Sequence, residues 1–248
     1  MIRPLIPSAT PEPPKPTFSE KFTGKAMNVY ANILGKKKFE ENPIQMHDDK
    51  IARIAQESYL PPHQRQKIIG DRKLDEDFNE GIHAVYAHLD EKRILISYRG
   101  SDFADIKDIV SDIQIILGMN AVDVRIKISL DFYDQVTMKY PNYEKWLTGH
   151  SLGGTISYIV TKHRKIDRCI VFNPGSSPTK TFLSMMQDTL LNKARTKKVT
   201  TYKIFGDAVS TLSFIGNVKT FFLKTVDPTK LHTIDSFPGL FEEKLEEN

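Results

Sequence analysis

The sequence has a single cysteine, Cys169, which excludes an intrachain disulfide. Its setting beside Ile170, Val171 and Phe172 reads as that of a small core side chain. No run reaches the roughly 18 apolar residues that a membrane-spanning helix needs, and the most apolar late segment, residues 214–226, is interrupted by Lys219 and Lys224. Neither sign of charge dominates: 35 Lys and Arg stand against 31 Asp and Glu, a net +4. The basic residues are dispersed apart from 36–38, 162–165 and 193–198, so no nucleic-acid partner is expected. Each cluster reads as a solvated helix end, with weak attraction to anionic lipid as the alternative. The start Met1-Ile2-Arg3-Pro4 lacks the apolar centre of a secretory signal, and an intracellular or particle-associated location is expected.

What is present fits an ordinary globular chain. Of 248 residues, 40% are hydrophobic and 27% charged, which excludes wholesale disorder and leaves room for one large domain or two small ones. Six of the fourteen prolines fall at positions 4, 7, 11, 13, 14 and 16. Residues 1–17 therefore read as an extended proline-rich arm, either a plain leader or a segment that docks on a protein partner. Residues 241–248 form a short acidic tail, and a single domain is expected over 18–240.

Hydrophobic spacing predicts helices at 22–34 and 49–59, the second stopped by Pro61-Pro62, so 18–80 reads as a helical N-terminal part. Residues 82–98 alternate around a turn at 90–92 and predict an antiparallel hairpin. Ile106, Ile109, Val110, Ile113, Ile116 and Leu117 share one helical face, which Gly118 ends. Residues 122–132 alternate like a strand, but Ile126, Leu130, Tyr133, Val136 and Tyr140 fit a helix ended by Pro141. A helix from about 124 is chosen, because the chain must cross back before the next strand. Strands at 144–148, 168–172 and 199–205 then alternate with helices at 152–163 and 179–194, which predicts parallel pairing. The expected fold class is α/β: a mostly parallel central sheet with an antiparallel N-terminal hairpin and helices on both faces.

The chemistry is concentrated in Trp146-Leu147-Thr148-Gly149-His150-Ser151-Leu152-Gly153-Gly154, a strand that enters Gly-x-Ser-x-Gly and leaves as a helix. Such a turn strains the serine backbone and lifts its hydroxyl clear of the sheet edge, while the glycines admit close approach of strand and helix. A serine hydroxyl needs a base to take its proton, and that base needs an acid to hold its tautomer. The chain order of this architecture is serine, acid, histidine. His47, His63, His83 and His88 precede Ser151, His150 lies in the turn and His163 ends the next helix, leaving His232. Among Asp167, Asp188, Asp207 and Asp227, Asp207 follows the carboxyl end of a strand, where open parallel sheets assemble their sites. The oxyanion donors expected are the amide of Leu152 and, from an earlier loop, Ser101, whose plainer reading is a turn serine.

These pieces resemble the class 3 lipase family of α/β hydrolases, which includes fungal triacylglycerol lipases, plant phospholipase A1 and diacylglycerol lipases. The resemblance spans residues 82–236. It is carried by 96–101, the 108–112 segment, the 149–154 elbow, Phe205-Gly206-Asp207-Ala208-Val209 and Leu231-His232-Thr233-Ile234. It implies Ser151, Asp207 and His232 as a catalytic triad, Ser101 and Leu152 as an oxyanion hole, a lipid ester substrate, and no metal or organic cofactor. Ile109 stands where the family usually has tryptophan, and Ala208 where proline often follows the acid. Ile109, Ile113, Phe214, Phe221 and Phe222 are candidate acyl-site or lid residues, core packing being the commoner role of such segments, and peripheral contact with a lipid surface follows if they stay exposed. A lipase or phospholipase-like serine ester hydrolase is thus expected. The alternatives are a thioesterase or peptidase on the same residues, or an inactive member of the fold serving as a structural component.

Overall fold

The computed structural model describes residues 48–88, 90–101, 120–175, 197–207, 209–210, 213, 216–223, 225, 227–238 and 240, all within one compact unit spanning 44–248. The proline-rich arm, the helices expected at 22–34, 106–117 and 179–194, and the acidic tail lie outside the described residues.

The first described helix, α1 (Asp48–Glu57), buries Ile51, Ala52, Ile54 and Ala55, one stripe at helical spacing. Pro61 and Pro62 prevent its continuation. The expectation of a helical part through residue 80 fails beyond this point, because 68–74 form a short hairpin, β1 (Ile68–Ile69) and β2 (Arg72–Leu74), turned at Gly70 with φ of 59°. Two- and three-residue strands leave too few positions for alternation to be read in the sequence. Strands β3 (His83–His88) and β4 (Arg93–Tyr98) then pair antiparallel as expected, from His83↔Tyr98 to His88↔Arg93.

Helix α2 (Asn120–Lys139) starts earlier than expected. Its buried residues Ser129, Phe132, Tyr133 and Val136 fall at helical spacing, so the apparent alternation of 122–132 was a chance superposition of two periods. Strand β5 (Glu144–His150) runs two residues further than the sequence suggested, carrying Gly149 and His150 into the ladder opposite Val171 and Phe172. Helix α3 (Leu152–His163), β6 (Arg168–Phe172) and β7 (Val199–Ile204) follow at the expected positions. The last strand, β8 (Asn217–Phe221), was not foreseen; it adds parallel to β7. A short helix, α4 (Pro228–His232), comes after it.

Among the described residues eight strands lie in sequence order, antiparallel from β1 to β4 and parallel from β4 to β8. All six residues of β3 are buried, since helices cover both faces and no face is left to solvent. Ala84, Tyr86, Leu95, Phe172 and Tyr202 face α1 and the later side chains Leu231, Ile234 and Phe237. Val85, Ile94, Ile96, Leu147 and Val171 face α2 and α3 through Phe132, Val136, Ile156 and Val160. Each large apolar side chain so buried contributes about 1.5 to 3 kcal/mol. Cys169 is within this second layer, and burial pushes its thiol well above its ordinary range, which leaves it chemically quiet.

Candidate active site

Parallel pairing from β4 onward brings the carboxyl ends of β4 to β8 to one edge of the sheet. Ser151 sits there between β5 and α3 with φ of 54° and ψ of −126°, a strained conformation for a residue with a Cβ. The surroundings hold it in place. Its amide donates to the Phe172 carbonyl at 3.1 Å, and its carbonyl accepts from Thr155 at 3.1 Å and Gly175 at 3.2 Å. Two glycines make the turn possible: a Cβ on Gly149 would lie 2.5 Å from the Gly153 backbone, and one on Gly153 would lie 2.0 Å from the Tyr98 carbonyl oxygen.

His232, at the end of α4, directs Nε2 to the Ser151 hydroxyl at 3.0 Å. Its Nδ1 lies 3.0 Å from both carboxylate oxygens of Asp207. All three side chains are buried. Asp207 follows β7 and is fixed by the amides of Val209 at 3.1 Å and Ser210 at 3.2 Å, and by the Ser210 hydroxyl at 2.6 Å. These donors fix the orientation of the carboxylate toward His232. Its Nδ1 proton directed at that carboxylate, the imidazole presents a bare Nε2 to the serine and can accept its proton.

Two of the other candidate aspartates serve elsewhere. Asp167 accepts from the Lys145 amide at the opposite end of the sheet, and Asp227 caps α4 through the Thr229 amide and hydroxyl. Asp188 lies outside the described residues.

Leu152 is the first residue of α3, so its amide has no acceptor within the helix and belongs to the positive end of the helix dipole. Ser101, half-buried, follows β4, whose Tyr98 is in register with Gly149. Both therefore lie at the same sheet edge as Ser151. Phe221 takes the core role and not that of a lid: its ring stacks on Tyr202 and meets Phe237 edge-on, at 6% exposure, and does not stand at the surface. The β8 ladder forces this, because neighbouring residues of a strand point to opposite faces. Phe222 is 60% exposed and stacks on Phe205, one residue past the end of β7. Ile109, Ile113 and Phe214 lie outside the described residues.

Sequence reasoning missed Asn173, Ser210, Tyr59 and the position of His150. Asn173 is fully buried just after β6; its side chain donates to the Leu231 carbonyl at 2.9 Å and accepts from the Ile204 amide at 2.9 Å. Its φ of 38° is a conformation asparagine tolerates. The sequence signal was Phe172-Asn173-Pro174-Gly175, a turn motif at a strand end. Among the described residues, no group of three or more His, Cys, Asp or Glu side chains is arranged to hold a metal ion, and no helix is long and apolar enough to cross a membrane.

Comparison with known proteins agrees with this architecture. Residues 124–172, which include the elbow, match the family model described as lipase (class 3). The Lip2 lipase of Yarrowia lipolytica is similar in structure with a TM-score of 0.50 and 19% sequence identity, covering 71% of this chain and 77% of that one. The mono- and diacylglycerol lipase of Aspergillus oryzae has a TM-score of 0.43 and 16% identity, over 74% of this chain and 81% of that one. The chain thus has the α/β hydrolase fold, and its residues 124–172 are similar in sequence to the class 3 lipase family.

Proposed function

We propose that the protein is a serine carboxylic ester hydrolase that cleaves acyl esters of lipids through an acyl-enzyme. The observation that carries this reading is the hydrogen-bonded series from Ser151 Oγ through His232 to Asp207, with both links at 3.0 Å. Ser151 Oγ attacks the ester carbonyl carbon while its proton passes to His232 Nε2. Asp207 stabilises the imidazolium and remains ionised. The amides of Leu152 and the Ser101 loop receive the developing oxyanion, each donor worth about 2.7 to 4 kcal/mol. Collapse breaks the bond to the alcohol oxygen, which takes the proton from His232 and departs. Water, deprotonated by His232, then attacks the acyl-Ser151 carbonyl; collapse breaks the bond to Oγ, which takes the proton back from His232, and the fatty acid is released.

Lipid as the acyl donor is supported by the class 3 lipase match and by the exposed Phe222 ring stacked on the half-buried Phe205, a pair that lies at the same sheet edge as Ser151. Such an aromatic surface suits contact with aggregated lipid. The decisive experiment compares wild type with Ser151→Ala on emulsified acylglycerol, phospholipid vesicles and a soluble short-chain ester, with a fluorophosphonate probe as a parallel measure of serine reactivity. The variant is expected to lose turnover by about 10⁴ to 10⁶ and to lose all labelling, with its thermal transition unchanged. Absence of labelling in folded wild type would favour a non-catalytic role for the fold instead.

A further inference from the structure

His150 is a buried titratable group beside the site that the proton transfers above do not use. It lies at the end of β5, and its ring centroid is 4.9 Å from that of His232. Its Nε2 is 2.5 Å from the backbone carbonyl oxygen of His232. A carbonyl accepts only, so this nitrogen carries the proton. The other nitrogen, Nδ1, is then the bare one, and the Tyr59 hydroxyl at 2.8 Å donates to it. Tyr59 follows α1, more than ninety positions away in the chain from His150 and further from His232. Its phenol also lies against the loop leading to Ser101: a Cβ on Gly100 would come within 2.2 Å of the hydroxyl oxygen and 2.8 Å of the His150 carbonyl oxygen.

A single run of contacts therefore connects the Gly100-Ser101 loop, the residue before Ser151 and the backbone of His232. We propose that Tyr59 and His150 form a positioning strap that sets the spacing of oxyanion loop, nucleophile and base. The inference rests on the serine-hydrolase reading and adds residues to it. The base sits on a five-residue helix, too short to be rigid on its own, and the His150 side chain, donating from the end of the strand beside the nucleophile, restrains the carbonyl of the base residue itself. Asn173 reaches the same carbonyl only at 3.4 Å. The strap must stay uncharged, because a cationic His150 would oppose the imidazolium that His232 becomes. Burial, with the neighbouring His232 charge, pushes the His150 ring well below its ordinary range, and burial pushes the Tyr59 phenol well above its own. Tyr59 therefore remains a donor and His150 a neutral ring with a defined tautomer.

The test uses His150→Gln, which keeps a donor near the position of Nε2, His150→Phe, which keeps only ring volume, and Tyr59→Phe, which leaves Nδ1 bare. Each is assayed on a soluble ester and by the rate of fluorophosphonate labelling, at matched folded fraction. His150→Phe is expected to lower kcat on the order of 10²-fold with KM nearly unchanged, the effect of a misplaced base. Tyr59→Phe should cost roughly tenfold, and His150→Gln should recover to within about threefold of wild type. A second readout is independent of turnover and of His150→Phe folding: nitrogen NMR of histidine-labelled Ser151→Ala protein. It should find His150 neutral with the proton on Nε2, where the His232 carbonyl holds it, and in the Tyr59→Phe background the Nδ1 resonance should shift as that nitrogen loses its donor. Wild-type rates in both Phe variants, or a His150 proton found on Nδ1, would overturn the strap while leaving the hydrolase intact. A folded wild type that neither labels nor hydrolyses any ester would overturn the hydrolase reading itself, and the strap with it.

Discussion

The Asn173 side-chain amide donates to the Leu231 carbonyl at 2.9 Å, so the end of β6 holds the residue before His232 from inside the sheet. The same side chain accepts from the Ile204 amide just ahead of Asp207. One fully buried asparagine thus couples the segment that bears the acid to the segment that bears the base. Replacing it with leucine leaves an amide and a carbonyl unsatisfied in the core, at about 1 to 3 kcal/mol for each group. Asn173→Leu is expected to lower the denaturant midpoint and to lose esterase activity beyond the loss of folded protein. Chemical denaturation paired with labelling kinetics checks this, and an unchanged midpoint would contradict it.

The neighbours Phe221 and Phe222 should respond differently to the same change. Phe221→Ser opens the core between Tyr202 and Phe237 and is expected to cost about 3 to 5 kcal/mol of stability, reducing activity on every substrate by the fraction unfolded. Phe222→Ser removes an exposed ring stacked on Phe205 and should cost much less, about 0.5 to 1.5 kcal/mol. Its effect should fall on aggregated lipid more than on a soluble ester. Equal loss on both substrates would remove Phe222 from any role in lipid contact.

His83 should impose a pH dependence on stability. It is buried, stacked on Phe132 with ring centroids 4.2 Å apart. Burial, followed by the charges of Arg125 and Arg65, lowers it to about 4 from an ordinary 6.5. The unfolded chain binds this proton more readily than the folded one, so stability is fully present above about pH 6.5 and is lost as pH falls toward 4. The loss approaches roughly 3 kcal/mol. His83→Phe, which removes the titration and keeps a ring, should flatten this part of the stability curve. Denaturation midpoints from pH 4 to 7 for both proteins measure it, and parallel curves would refute the assignment.

Two adjacent glycines in α3 separate space from propensity. A methyl on Gly153 would meet the Tyr98 carbonyl at 2.0 Å, whereas one on Gly154 would meet the Gly149 oxygen and a Pro174 carbon at 3.1 Å. Gly153→Ala forces backbone apart from backbone and should cost about 3 kcal/mol or more. Gly154→Ala gains about 1 kcal/mol of helix propensity against a mild crowding, and should be near neutral. Thermal melts of the pair decide, and similar losses in both would show that the elbow yields more easily than its geometry implies.

Much of the site's local form was legible because its causes are local. A strand, Gly-x-Ser-x-Gly and a helix follow one another within twenty residues, and the spacing of apolar positions reveals each element. The order of serine, acid and base narrowed seven histidines to His232. Asp207 could be chosen over Asp167 and Asp227 because its place after a strand is written in the hydrophobic run before it. The β1 and β2 hairpin and the last strand were not legible, since two-residue strands and a mixed polar edge strand carry too little period to rise above their surroundings.

The amino-acid order by itself determined the secondary elements around the elbow, the strain placed on Ser151 and the residue types available for chemistry, because each depends on neighbours a few positions apart. Only the tertiary structure decided that Phe221 is core while Phe222 faces outward, that Asn173 joins Ile204 to Leu231, and that Tyr59 reaches His150. Those relationships arise from ladder register and from contacts between segments far apart in the chain. No periodicity encodes them, because which distant groups meet is settled by how the whole sheet is covered.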